Sequence, residues 1–278
     1  MQFPGGKTKA LTLSYDDGVQ QDIRMIEILD KYGIKCTFNI NGSALIDEER
    51  TYPEGQVHRR MARKEAKEVY SKAIENGHEI AVHTYTHPFL DKLPAEMVAY
   101  EIVEDRKTLE DLFGTVIKGC AYPFGTTNDT AVEVLRNCGI LYARTTVATK
   151  SFDIPTDWLR LPSTCHHNAP DLMTLVERFL NEIDRYNRPK LFYLWGHTYE
   201  FEGNNNWEVI EKFAEAIGNR DDVWYANNMQ IYDYVEAYRS LRFSSDGNIV
   251  YNPSAQTVWF STTNINVKVA PGETVKIR

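Results

Sequence analysis

The chain has no apolar stretch long enough to cross a bilayer, and its first residues, Met1-Gln2-Phe3-Pro4-Gly5-Gly6-Lys7, lack the apolar core of a leader peptide. A soluble, cytoplasmic protein is therefore expected, or a secreted or cell-surface one where a leader has been removed. Cysteine is scarce: the four residues Cys36, Cys120, Cys138 and Cys165 lie far apart with no CxxC pair. Three sit in or beside apolar runs, where a free thiol behaves as a small hydrophobe, so a reducing compartment is the simplest setting. Positive charge is also in deficit, with 31 Lys and Arg against 39 Asp and Glu and a net charge of −8. That balance excludes a nucleic-acid backbone or an anionic membrane surface as the main partner, and suits a neutral or cationic substrate. Repeats and low-complexity segments are absent, and nothing in the sequence specifies an oligomeric state.

What is present is ordinary for a globular protein. Apolar residues make up 42% of the chain and charged residues 25%, enough for a large core over 278 residues. The 16 Tyr and 5 Trp include flat faces suited to sugar rings, although most are expected in the core. Short apolar strands alternate with amphipathic stretches. Strands are predicted at Lys9–Tyr15, Lys35–Ile40, His78–His83, Val116–Ala121, Ile140–Thr146, Lys190–Trp195 and Val223–Ala226. Helices are predicted at Gln20–Tyr32, Val57–Asn76, Pro94–Phe113, Asp129–Cys138, Asp171–Tyr186, Trp207–Ile217 and Met229–Leu241. Strict alternation implies parallel strands with helices outside: an α/β barrel with one unit fewer than eight, or a doubly wound open sheet. From Arg242 the texture changes to short alternating runs punctuated by Asp246-Gly247, Asn252-Pro253 and Pro271-Gly272. We therefore expect a barrel over 1–241 and a small antiparallel β appendage over 242–278.

The polar residues that close the predicted strands carry the functional signal, because ligands bind at the carboxyl ends of parallel strands. Ser14-Tyr15-Asp16-Asp17-Gly18 ends the first strand, and two adjacent carboxylates contribute nothing to a core. His83-Thr84-Tyr85-Thr86-His87 ends the third, and a spacing of four would present both imidazoles to one point on a helical turn. If both strands open on one rim, Asp17, His83 and His87 make a two-histidine, one-carboxylate face with open positions for water and substrate. His197 follows the apolar strand Leu191–Trp195, as a third imidazole ligand or as a general acid titrating near neutrality.

In order and spacing these segments resemble the signatures of the NodB-type polysaccharide deacetylases, carbohydrate esterase family 4. The Asp-Asp-Gly and His-x-x-x-His segments match its first two motifs. Ala121-Tyr122-Pro123-Phe124-Gly125 resembles the third, Asp157-Trp158 the fourth, and Trp195-Gly196-His197 the fifth. The resemblance covers roughly residues 8–240 and implies a distorted (β/α)7 barrel. It implies Asp16 as general base, Asp17, His83 and His87 as ligands of a divalent metal (zinc, with cobalt, manganese, nickel or iron as alternatives), and His197 as acid. Asp157, in preference to Asp153, would orient His197. The backbone N–H of Phe124 would stabilise an oxyanion, and Tyr122, Trp158, Trp195 and Tyr199 would line the substrate pocket. The substrate implied is an acylated amino sugar or its polymer. A small linear or cyclic amide is the alternative, and a silent metal- and carbohydrate-binding relative is the reading from another class.

The sequence departs from the family at Ala121, where an arginine should pair with the catalytic aspartate. Arg144 is expected to supply that cation, with Arg160 the other candidate. His166 and His167, in the segment after Asp157-Trp158, could contact substrate or cap the following helix. Glu200, beside Tyr199, is expected in a hydrogen-bonding role, and the charged segment Asn41–Gln56 as a loop over the rim.

Overall fold

Alternate residues of Lys9–Asp16 (β1) divide between two environments, as a pleated strand requires. Leu11, Leu13 and Tyr15 enter the main apolar core. Thr12, Ser14 and Asp16 make hydrogen bonds to groups on facing elements instead. The structure, a computed structural model, describes residues 1–277 except 49, 183–185 and 263–264.

The remaining strands are β2 (Cys36–Ile40), β3 (Glu79–Val82), β4 (Gly119–Ala121), β5 (Tyr142–Ala148), β6 (Leu161–Ser163), β7 (Cys165–His166), β8 (Lys190–Gly196) and β9 (Val223–Tyr225). All pair in parallel, in the order β6-β5-β4-β3-β2-β1-β8-β7, with β9 beside the start of β1. Only Thr164 separates β6 from β7. One bent strand thus pairs with β5 through its first half and with β8 through its second, and closes the ring. The result is the distorted seven-unit barrel, not an open sheet.

The helices are α1 (Asp22–Lys31), α2 (Arg63–Glu75), α3 (Ala95–Phe113), α4 (Asp129–Asn137), α5 (Leu172–Asn181), α6 (Thr198–Gly203), α7 (Glu208–Ile217) and α8 (Asn228–Arg239). Three depart from the sequence reading. The predicted helix at Val57 begins only at Arg63, because 57–62 run extended along the rim, tied through Gln20 N to Arg59 O (2.7 Å) and the Val19–Arg60 bridge. The helix predicted over Asp171–Tyr186 is seen as α5, and its expected continuation over 183–185 lies outside the described residues. The short α6 was not predicted.

Inside the barrel a polar column runs from Asp16 down to α8. Asn228, in the first turn of α8, accepts from Thr12 Oγ1 (2.8 Å) and donates to the Tyr193 hydroxyl (2.8 Å). Its own N–H bonds Thr37 Oγ1 (3.0 Å), while Met229 N–H donates to the half-buried Glu79 (2.9 Å). An Asn227–Gln230 capping box starts the helix. Beyond α8, β10 (Arg242–Phe243), β11 (Ile249–Tyr251) and β14 (Thr274–Lys276) form one small sheet, and β12 (Val258–Ser261) pairs with β13 (Asn266–Val269). Val250, Val258, Phe260, Val267 and Val269 pack with Ala237 of α8 and with Leu241 just beyond it.

Candidate metal centre and its flanking acid and base

Four residues at the carboxyl-end rim adopt a left-handed backbone that L side chains rarely take: Asp17 (φ 88°), Thr84 (64°), His87 (62°) and Phe124 (60°). Such conformations cost roughly 1–3 kcal/mol each, and cluster where function demands a fixed geometry. They also correct one expectation. His83 and His87 do not share a helical turn; an irregular turn with positive φ at Thr84 and His87 swings the second imidazole back toward the first. The ring centroids are 4.8 Å apart.

The turn is braced from α3. Asp105 accepts from the N–H groups of Gly42 (2.5 Å) and His83 (3.0 Å), and Glu101 accepts from Thr86 N (2.7 Å) and Oγ1 (2.6 Å). Asn41 donates to the carbonyls of His83 (2.5 Å) and Thr84 (2.9 Å). His83 Nδ1 donates to Ala121 O (2.8 Å), so its unprotonated Nε2 faces Asp17 Oδ1 at 4.0 Å. His87 Nε2 lies 3.8 Å from the same oxygen. Burial lowers the pKa of both imidazoles, that of His83 to about 4, so both stay neutral. Burial would raise the Asp17 carboxyl, but bonding to His58 and the positive charge of Arg60 hold it far below the usual carboxylate range. One ionised carboxylate and two neutral imidazoles, that of His83 with its tautomer fixed by Ala121 O, are donor states that suit a divalent transition metal, so the residues fit.

Asp16 is buried beside this group. Asn39 donates to its Oδ1 (2.8 Å) and the Arg144 guanidinium to its Oδ2. Arg144, wholly buried, also lies over the Trp195 ring at 4.5 Å. Burial pushes the Asp16 carboxyl up, and Arg144, His83 and His197 more than offset it, leaving its pKa low. The cation missing at Ala121 is thus replaced from the adjacent strand, since Ala121 and Arg144 are register partners across β4 and β5. Arg160, the other candidate, pairs with Asp129 and Asp157 instead.

His197 Nε2 stands 3.9 Å from Asp16 Oδ2, and its Nδ1 donates to Glu200 Oε1 (2.9 Å). Burial lowers this imidazole, and the bond to Glu200 with the charges of Asp16 and Asp17 raises it above its ordinary value. The orienting carboxylate is therefore Glu200, not Asp157. Asp157 and Trp158 precede β6, at the amino end of that strand, and Asp157 pairs with Arg160 rather than with His197. There Asp157 accepts from Leu159 N (3.1 Å) and Arg160 N (3.2 Å), while Asp153 bonds Ser151. Trp158 Nε1 donates to Glu236 of α8 (3.1 Å), with its ring against Tyr232 (5.2 Å). Trp158 does not reach the acyl pocket. Tyr122 is buried and its hydroxyl is committed to Leu159 O (2.8 Å). Trp195 and Tyr199 do flank His197, with centroids at 5.8 and 5.3 Å. Phe124 lies against His87 at 4.7 Å.

Sequence reasoning missed His58 and Arg60. His58 Nε2 meets Asp17 Oδ2 at 3.2 Å, and Arg60 reaches Asp17 Oδ1 (3.1 Å), Asp17 O (2.5 Å) and Asn41 Oδ1 (2.5 Å). No strand-end motif marks them, and the predicted helix over 57–76 hid them. A second group, His166, His167 and Glu200, also brings donors together. Here Glu200 is already bonded to His197 and to Asn168 Nδ2 (2.8 Å), and His166 Nδ1 accepts from Asn168 N (3.1 Å). That tautomer points an N–H at the carboxylate, so the group acts as a hydrogen-bonded brace. His167 closes against Gly196, where a Cβ would lie 2.0 Å from its Nδ1.

Comparison with known proteins bears on the family and the fold. The family profile described as polysaccharide deacetylase matches residues 4–143, about half of the chain. The peptidoglycan-N-acetylglucosamine deacetylase PgdA of Listeria monocytogenes is 26% identical over 135 residues, covering 48% of this chain and 25% of that protein. Chitin deacetylase 1 of Cryptococcus neoformans is 26% identical over 129 residues, covering 46% and 24%. The matched segment thus spans only about a quarter of these relatives. Among solved structures, a Mycobacterium smegmatis protein assigned as a polysaccharide deacetylase superposes with a TM-score of 0.61 at 19% identity, covering 86% of this chain and 94% of that one. That likeness shows the fold.

Proposed function

Since the chain belongs to the polysaccharide deacetylase family, we propose that it is a metal-dependent hydrolase that removes acyl groups, N-acetyl foremost, from amino sugars. The observation that carries this reading is the convergence of Asp16, Asp17, His83, His87 and His197 on one rim, their facing atoms within about 4 Å of the two carboxylates. Asp17, His83 and His87 would hold the cation. When bound there, a divalent metal supplies polarisation of the amide carbonyl and acidification of the attacking water. Zinc suits a set of two imidazoles and one carboxylate, with cobalt, manganese, nickel and iron accommodated by the same donors.

The remaining steps belong to the protein. Asp16, kept ionised by Arg144, takes a proton from the attacking water. His197, with its Nδ1–H fixed by Glu200, presents Nε2 toward the same space and delivers a proton to the departing amine nitrogen. The backbone N–H of Phe124 is assigned to the oxyanion, and Trp195 and Tyr199 to the walls around acyl group and sugar. The buried Asp16–Arg144 pair also argues against a silent relative. Taking two charges out of water costs several kcal/mol per ion, a penalty that a binding protein has no reason to maintain. The test is acetate release from N-acetylated glucosamine oligomers by the metal-loaded and the chelated protein. Metal-dependent release that is lost in Asp16→Asn supports the reading; no release from any acylated sugar with any of the five metals defeats it.

A further inference from the structure

Between β1 and β8 the register ends at the pair Tyr15–Gly196. Asp16 and His197, the two groups assigned to proton transfer, are the next residue on each strand. Their facing atoms are 3.9 Å apart, a spacing that lies beyond the last pair of that ladder. Asp16 is anchored on its other side, to Asn39 and Arg144. The side chain that joins the two strand ends is Asp22, in the first turn of α1, which no step of the reaction uses. It is wholly buried, and its two oxygens face different ways. Oδ1 accepts from Thr198 Oγ1 (2.5 Å), on the residue that follows His197. Oδ2 accepts from Val19 N (3.3 Å), just past Asp16-Asp17-Gly18, and from the Tyr70 hydroxyl of α2 (2.6 Å). We propose that Asp22 is a positioning residue that sets the proton donor His197 against the proton acceptor Asp16. This rests on the deacetylase reading and adds to it a residue that acts through others.

A local role at the start of α1 accounts for only part of this arrangement. Val19 and Asp22 do bond each other reciprocally, Val19 N to Oδ2 and Asp22 N to Val19 O (3.0 Å), as residues at a helix start often do. That pairing leaves Thr198 unexplained, a wholly buried hydroxyl brought to the same carboxylate from the far side of the site. All three partners are neutral donors, and burying a carboxylate among neutral groups is costly. Burial pushes the Asp22 carboxyl up to about 7, against the pull of Thr198, Tyr70 and Val19. An asparagine of the same shape has one acceptor oxygen and could serve one side only. The carboxylate is the group that spans both. Gln21, its neighbour, makes a second link by donating to Glu202 Oε2 (2.9 Å) and to Val57 O (2.6 Å). The start of α1 thus holds α6 near both of its ends, at Thr198 and at Glu202. Because α6 also carries Glu200, which bonds His197 Nδ1, seating this helix sets both the place and the tilt of the imidazole.

The test is steady-state kinetics of the zinc-loaded full chain on the N-acetylglucosamine tetramer. Thr198→Val keeps the shape and removes the hydroxyl donor. It is expected to lower kcat about 10- to 100-fold, the effect of a small misplacement of a catalytic group, with KM and the zinc-induced rise in Tm unchanged. Thr198→Ser, which restores the donor, should restore kcat. Asp22→Asn should fall by a similar factor, and the double variant with Thr198→Val no further, since both cut one link. The proton NMR signal of His197 Nδ1–H, slow to exchange while bonded to Glu200, reads the same displacement without turnover and should be lost in both variants. Full kcat in Thr198→Val, losses that multiply in the double variant, or failure of Thr198→Ser to recover would each overturn the assignment. A wild type that releases no acetate, with the Nδ1–H signal lost in both variants, would defeat the deacetylase reading and keep the positioning role.

Discussion

Arg144 has no exposed surface, so its guanidinium has only its partners to offset the loss of water: Asp16, the Thr145 carbonyl (3.4 Å) and the Trp195 face. Removing it strands a buried carboxylate. Arg144→Ala should destabilise the fold by about 3–5 kcal/mol in chemical denaturation, because an unpaired buried charge costs more than the pair gains. Adding Asp16→Asn should return part of that loss, and additive effects in the double-mutant cycle would refute the coupling. Glu200 acts through a different residue. The His197 pKa is raised, so the imidazolium persists above its ordinary range, and kcat/KM should fall only as pH rises through that elevated value. Glu200→Gln keeps a hydrogen-bond acceptor but removes the charge, while the lowering by burial remains. The alkaline limb of the kcat/KM profile should therefore move to lower pH, and an unmoved limb would show that Glu200 serves only to pack the loop.

At the scale of elements, the rim is organised by α3 as much as by the strands that carry the ligands. Asp105 bonds two backbone N–H groups, that of Gly42 just after β2 and that of His83 itself. Asp105→Ala should lower metal affinity by roughly 10- to 100-fold, the usual effect of losing a group that orients a ligand. Metal titration followed by calorimetry reads this directly, and unchanged affinity would mean that the turn at Thr84 holds itself. Such support was not legible in the sequence. Asp16, Asp17, His83 and His87 could be found because each follows a strand and parallel strands share a rim. Asp105 sits mid-helix, where an acidic residue reads as solvated surface. Asp157 and Trp158 misled for a related reason: the strand they lead into, β6, was not predicted, so nothing in the sequence showed that they stand at its amino end. Glu200 had a local signal, three residues after His197, which becomes meaningful only once that stretch is known to be helical.

For the molecule as a whole, the alternation of strands and helices announced parallel strands with helices outside but did not choose between barrel and open sheet; closure depends on Thr164 bending one strand between two neighbours, a feature with no pattern of its own. Closure matters to the site because it sets β1, β3 and β8 at fixed distances, so binding at their ends is coupled to the stability of the fold. A cation that binds Asp17, His83 and His87 in the folded state, and not in the unfolded chain, adds RT ln(1 + [M]/Kd) to stability. At a free metal concentration one hundred times Kd this is about 2.7 kcal/mol. For a chain of this size that corresponds to a rise in Tm of roughly 5–10 °C. Zinc should thus raise the melting temperature of the wild type and chelator should reverse it. Asp17→Asn and His83→Ala should each abolish the shift. His167→Ala should keep it, because the brace around Glu200 is hydrogen-bonded and holds no metal. Melting scans with each metal across a concentration series make the measurement without reference to any substrate. A shift that survived in both Asp17→Asn and His83→Ala would place the cation elsewhere and remove the basis for the catalytic assignment.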